Sequence, residues 1–564
     1  MYRKLFLLVL VILVALAGCT PAVTVTQPSA PDTGAPISTD PAVVEQAQNP
    51  TATQPAKAVP VDDGVEQVVT RALTSEPPGL DPQGVAGAGQ NTILPYLFDT
   101  LVYREIDNTY RPYLAESWEI SDDGKQVTFT LRPNITFHDG TPLDAEAVKY
   151  NFDRIKEQGQ KSVLAPMVSQ IQTIEVIDPL NVRFTFPAPS STLFSSLSTT
   201  YAGIVSPTAA KESGEAFGQK PVGSGAYKLE KWEPGVAVTL VKNLNYAWAP
   251  GTETIENQGA PMVDRLVFKI IPDVTQQITA LQAGEVDMLF VNQPSHVARL
   301  QSDPNTNVIE TQLNSLIYLG FNVQKPPFDD VKVRQALSHV VDKEEILQTA
   351  LGGIGVVAFA PLAPTLPGFD PSLQDLELGY DVEKARWLLN NAGFTQTSDG
   401  TWSKDGQALS VTLVTSTRPP NPAIATVLQS QFKAAGILVE VQALDSTAAQ
   451  EALTNGLYDM MLWRYDWNDA DVLRTYLSSS RIGRTNRNFY SNPQVDGLLE
   501  QAAQELDDAA RNAMYLEAQQ LILADAPWQP IYTPIDYMAI RKEVIGVDMG
   551  AMGRVLMNDA SVER

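Results

Sequence analysis

Apolar and polar positions alternate in short runs along most of this chain. Lys125-Gln-Val-Thr-Phe-Thr-Leu131 puts Val127, Phe129 and Leu131 on one face and Thr128 and Thr130 on the other, the period of a strand. Ser121-Asp122-Asp123-Gly124 separates it from Glu116–Ile120, which predicts a hairpin. Asp139-Gly140 then turns the chain, Asp144 is placed to cap a helix, and Val148, Phe152 and Ile155 follow at helical spacing. Upstream, the apolar run Val68–Thr74 predicts a strand that stops at Glu76-Pro77-Pro78-Gly79-Leu80-Asp81-Pro82.

The second half alternates differently. Asp381 heads a helix with Ala385, Leu388, Leu389 and Ala392 on one side and Gly393 after it. A strand over 409–414, a helix over 422–435 stopped by Gly436, a strand over 437–441, a helix over 447–455 and a strand over 458–463 follow. Strands alternating with helices predict an α/β sheet, in which ligands bind beyond the carboxyl ends of the strands.

The N-terminus has its own pattern. Arg3 and Lys4 precede an unbroken apolar run, Leu5–Ala17, and Ala17 and Gly18 are small, which is the layout of an export signal. The run is shorter than the roughly 20 residues of a spanning helix. Leu16-Ala17-Gly18-Cys19 resembles the bacterial lipobox, in which the cysteine is lipidated and becomes the new N-terminus; the alternative is an ordinary secretory signal followed by a cysteine of no consequence. Acyl chains on Cys19 would anchor a soluble body at roughly 0.8 kcal/mol per buried CH₂. Cys19 is the only cysteine in 564 residues, so none remains for a disulfide, a metal cluster or a thiol nucleophile. Residues 19–64, with Pro21, Pro28, Pro31, Pro36, Pro41, Pro50, Pro55 and Pro60 among small and polar residues, hold too few large apolar side chains for a core and read as a disordered tether.

About 500 residues remain for the body, enough for two or three lobes. The formal charge is −25, and −27 once the signal takes Arg3 and Lys4 with it, which argues against a nucleic-acid surface. The body has no apolar run near about 18 residues, no phosphate-binding G-x-x-x-x-G-K-[ST] loop and no G-x-S-x-G elbow. His138, His296 and His339 are far apart and read as surface or structural residues, so no metal is expected. Gly223-Ser224-Gly225 reads as a turn and not as a nucleophile.

The stretch LAESWEISDDGKQVTFTLRPNITFHDGTPLDAEAVKYNFDRI is similar to the extracellular solute-binding proteins, family 5, which serve ABC importers of peptides, nickel and opines. PVGSGAYKLEKWEPG at 221–235, KNLNYAW at 242–248, ALQAGEVDM at 280–288, FNVQKPPFDDVKVRQALSHVVDKEEI at 321–346 and RNFYSNPQVDGLLEQA at 487–502 follow in the family's order, over about residues 66–545. The resemblance implies an α/β, type II clamshell of two lobes like the periplasmic binding proteins, with an extra subdomain in the first lobe. The expected division is a signal over 1–18, the tether over 19–64, lobe I over 65–272 with a subdomain at about 96–215, lobe II over 273–526 and a return to lobe I over 527–564. The chain is expected to cross between lobes near Ile271-Pro272-Asp273 and near Pro527-Trp528.

Two stretches carry candidate ligand chemistry. STRPPNPAIATVLQSQF at 416–432 resembles a segment of dipeptide-binding members whose arginine holds the ligand carboxylate; Arg418 falls on that position, and Pro420 replaces a tyrosine. The alternative is a surface arginine ordering a proline-rich loop. MLWRYDWNDADV at 461–472 resembles a segment whose first aspartate receives the peptide α-amino group; Asp466 falls on it, Trp463 on the family's tryptophan and Asp469 on a later aspartate, with Ala470 replacing a proline. The alternative is an aspartate paired with Arg464 or Arg474. Trp467 is placed to stack on a ligand.

The expectation is therefore a lipid-anchored, extracytoplasmic binder without cofactor, a monomer that presents short peptides to separate permease and ATPase subunits. The other ligand classes are oligosaccharides, favoured by Trp463 and Trp467, then nickel chelates, opines or other solutes. Two further classes are a secreted hydrolase using Asp466, Asp469 and Asp471, and a receptor that uses the same clamshell without transport. Nothing in the chain resembles a catalytic set, so an enzyme is not expected.

Overall fold

The computed structural model describes residues 64–84, 89–252 and 254–563. The signal, Cys19 and most of the tether lie outside the described residues. Two sheets organise the rest. The first has seven strands, in the order Thr306–Gln312, Ile535–Arg541, Met288–Val291, Val68–Leu73, Arg265–Ile270, Ala237–Lys242 and Tyr227–Glu233. The second has six, in the order Val356–Val357, Trp528–Thr533, Ser315–Phe321, Met460–Asp466, Ser410–Ser416 and Leu438–Leu444. Parallel neighbours, such as Val68–Leu73 beside Arg265–Ile270 and Ser410–Ser416 beside Leu438–Leu444, are joined through other elements, as parallel pairing requires.

Local signals set most of these elements. Asp144 accepts a hydrogen bond from the Ala147 N–H at 2.9 Å and starts the helix Ala145–Gln158. That helix buries Val148, Phe152 and Ile155. Phe152 meets Phe184 edge-on, ring centroids 4.9 Å apart. Phe184 belongs to a four-stranded antiparallel sheet formed by Ala115–Ile120, Gln126–Leu131, Asn181–Thr185 and Thr173–Asp178. Val127, Phe129 and Leu131 are all buried in the same core, each contributing about 1.5–3 kcal/mol for a large side chain. In the second half, Asp381 caps Val382–Asn391, and the helices Asn421–Ala434 and Ser446–Thr454 connect the strands that the pattern predicts.

The crossings between sheets are not where the sequence suggested. Ile271-Pro272-Asp273 leads into the helix Val274–Ala283, which Asp273 caps, and the strands that follow, Met288–Val291 and Thr306–Gln312, stay in the first sheet. The change of sheet comes at 313–314. On return, Trp528–Thr533 is still a strand of the second sheet, paired with Ser315–Phe321, and the chain crosses at Pro534. Met288–Val291 stays because it pairs with Ile535–Arg541 and touches Val68–Leu73, contacts that a local pattern does not encode.

Candidate functional site

The two crossings run side by side. Leu313 N–H donates to the Pro534 carbonyl at 3.1 Å, and Trp467 N–H donates to Asn314 O at 3.0 Å. Two cavities adjoin them, of ≈550 and ≈370 Å³, and both are lined by Leu313 and Asp536. Volumes of a few hundred Å³ suit small ligands.

The strand Met460–Asp466 brings charge to this place. Side chains two apart on a strand share a face, so Arg464 and Asp466 lie together. The Arg464 Nε–H donates to Asp466 Oδ2 at 2.8 Å, and its Nη2 donates to Oδ1. Arg464 and the Asn292 side chain also face Asp536. Burial pushes the Asp536 carboxyl above its ordinary value; Asn292 and Arg464 pull it back, and Asp466 adds to the rise. Two carboxylates thus share one guanidinium. Arg418, exposed, lines the smaller cavity with Arg464 and Asp536, while Asp466 and Trp467 line the larger. Arg418 and Asp466 therefore sit in adjoining cavities bridged by Arg464 and Asp536.

Not all the expected residues gather there. Trp467 meets Tyr476 edge-on, centroids 6.2 Å apart, and is 37% exposed. Trp463 lines neither cavity: it is half-buried, and the Arg487 guanidinium lies 5.6 Å from its ring centre. Asp469 also lines neither. It is buried, accepts the Asp471 N–H at 2.9 Å and faces Arg511 and Arg104. Beside it, Arg104 donates to the Asn468 carbonyl, joining the inserted segment to the second sheet's domain. Asp471 is held by Arg474 at 2.6 and 3.0 Å. The three aspartates considered for acid–base chemistry are thus each engaged with different arginines.

The Gly223-Ser224-Gly225 turn is structural. Ser224 Oγ donates to the buried Asp99 at 2.8 Å, as do Trp248 Nε1 at 2.9 Å and the Tyr113 hydroxyl. Two of the sequence segments, 221–227 and 242–248, therefore converge on one carboxylate. A Cβ on Gly225 would lie 2.4 Å from Tyr96 O and 2.5 Å from Leu97 C, so glycine lets this turn touch the end of the helix Gln90–Leu97. His138 Nε2 lies 2.9 Å from Gly225 O and is pushed down to about 4, chiefly by burial.

Sequence reasoning missed Arg71, Asp536 and Arg554, which line the larger cavity with Tyr96 and Phe290. A signal existed for two of them: Arg71 and Asp536 are lone charges inside the apolar runs VVTRAL and IDYMAI.

Residues 109–484 match the family model of the bacterial extracellular solute-binding proteins, family 5. The chain belongs to that family. Heme-binding protein A of Haemophilus influenzae is 28% identical over 511 residues, 85% of this chain and 89% of that protein. The dipeptide-binding protein of Escherichia coli is 28% identical over 533 residues, 88% of this chain and 95% of that one. Among solved structures, HbpA2 from Haemophilus parasuis superposes with a TM-score of 0.78 and 25% identity, covering 88% of this chain and all of that one. NikA from Brucella suis in complex with Fe(III)-EDTA gives 0.79 at 25% identity, with the same coverage. This family 5 solute-binding protein accordingly has the type II two-lobed fold. No helix among the described residues is long and apolar enough to cross a membrane.

Proposed function

We propose that this solute-binding protein captures short peptides outside the cytoplasmic membrane and hands them to separate permease and ATPase subunits, held to the membrane by a lipid on Cys19. It binds and releases without chemistry. One observation carries the ligand reading: Asp466 and Asp536 share Arg464, leaving one uncompensated negative charge, and Arg418 stands at the adjoining cavity. An ammonium at the aspartates and a carboxylate at Arg418 satisfy both ends of a zwitterion. The similarity to a dipeptide-binding protein supports this reading. Closure would hinge on 313–314 and Pro534, because the lobes are joined there by two short segments. Trp467, exposed in the larger cavity, favours an oligosaccharide as the second reading.

The test is calorimetric titration of the body, after unfolding and refolding to strip carried-over ligand, with di- to pentapeptides and separately with oligosaccharides. Peptide binding that weakens in both Arg418→Ala and Asp466→Asn is expected. Sugar binding alone, or peptide binding indifferent to both changes, overturns the clamp and leaves the family assignment standing. Hydrolysis of peptides or glycosides on long incubation would overturn the binder.

A further inference from the structure

Arg71 is a buried charge on the wall of the cleft. It lies within the strand Val68–Leu73, is only 6% exposed and lines the larger cavity. Its Nε is buried and has no hydrogen-bond partner. Among the described residues it forms no salt bridge, and the groups that face it are neutral: the Tyr96 hydroxyl, and the Phe290 ring, whose centre lies 4.6 Å from its guanidinium carbon. The neighbouring arginines each face a carboxylate. Arg464 has Asp466 and Asp536, and Arg554, in the same cavity wall, has the field of Asp99 and donates to the Pro95 carbonyl at 2.9 Å.

A buried guanidinium is costly without a counter-charge, and an arginine does not shed its proton to escape that cost. An aromatic face recovers only part of it. Burial accordingly pushes Arg71 below its ordinary value. A structural arginine would carry its carboxylate with it. One that opens on a cavity at the cleft leaves the place for the ligand's.

We infer that Arg71 is an anion subsite on the first lobe's wall of the cleft, taking a carboxylate of the bound solute other than the one assigned to Arg418. The inference rests on the peptide reading above and narrows it: the preferred peptide carries an acidic side chain. The side-chain carboxylate docks on the first sheet, which also carries Asp536, while the ammonium reaches Asp466 on the second sheet. The ligand then touches both lobes, so an acidic peptide holds the cleft shut better than its neutral isostere.

The experiment titrates the refolded protein with Ala-Glu-Ala, its isostere Ala-Gln-Ala and, as a peptide-free polycarboxylate, citrate, in the wild type and in Arg71→Gln. The acidic peptide is expected to bind at least about tenfold more tightly than the isostere, the scale of one charge-assisted hydrogen bond, and Arg71→Gln should erase that preference. Equal binding of the two peptides by the wild type, or a preference that survives in Arg71→Gln, overturns the subsite and leaves the peptide reading intact. Citrate binding that Arg71→Gln abolishes, with no peptide bound, upholds the subsite and overturns the peptide. Absence of binding by all three overturns both. Thermal unfolding of the ligand-free proteins supplies a second readout. An unpartnered buried cation predicts a melting temperature that is unchanged or higher in Arg71→Gln, and a clear drop would mark Arg71 as structural.

Discussion

Asp536→Asn removes one charge and keeps the shape of the side chain. Asp536 is the second residue of the strand that returns to the first sheet and lines both cavities. With Asp466 it faces a single guanidinium, Arg464, so the cluster is net negative by one; the asparagine makes it neutral. The ammonium of a bound peptide then loses one charge-assisted interaction, worth about 1.5–3 kcal/mol. That corresponds to a dissociation constant roughly ten- to a hundredfold weaker. Stability should move the other way. Burial raises the Asp536 carboxyl above its ordinary 3.8, so its ionised form at neutral pH is disfavoured by the fold, and Arg464 retains Asp466. The ligand-free variant should therefore melt at the same temperature as the wild type or above it. Calorimetric titration with a neutral dipeptide measures the first effect and a thermal scan the second. An unchanged affinity would refute the uncompensated-charge argument, and a lowered melting temperature would show that Asp536 serves Arg464 and not the ligand.

Other consequences follow from the same geometry. Because the Asp536 pKa is raised, protons compete with the ligand ammonium nearer to neutrality than at an ordinary carboxylate. As pH is lowered from neutrality, peptide affinity should begin to fall above the ordinary carboxylate range, with protons released on binding there, and a profile flat down to that range would contradict the assignment. Gly225→Ala drives a Cβ into the backbone at Tyr96 and Leu97; we expect about 1–3 kcal/mol of destabilisation in denaturant titration, together with weaker binding because Tyr96 lines the larger cavity. Wild-type stability in this variant would mean that the turn relaxes freely. Metabolic labelling with a fatty-acid probe should mark the wild type and not Cys19→Ser; a labelled band in the variant would refute the lipid anchor.

The sequence by itself determined the local elements and the family. Alternation at 125–131, the Asp144 and Asp381 caps and the helical spacing that follows are short-range signals, and the physics they report acts within a turn or a pleat. It also singled out Arg418, Asp466 and Trp467 as expected ligand residues, because they sit in segments that resemble the family's. Only the tertiary structure decided which sheet each strand joins. Met288–Val291 is apolar and would suit either lobe, and its long-range pairing with Ile535–Arg541 moves the crossing to 313–314. Only the tertiary structure set the company each charge keeps: Asp466 with Arg464, Asp469 beside Arg511, Trp463 beneath Arg487. It also brought Arg71 to one cavity with Asp536 and Arg554, which lie hundreds of residues further along the chain. Electrostatic partnership depends on distance in space and on burial, and neither quantity is written in the order of residues along the chain.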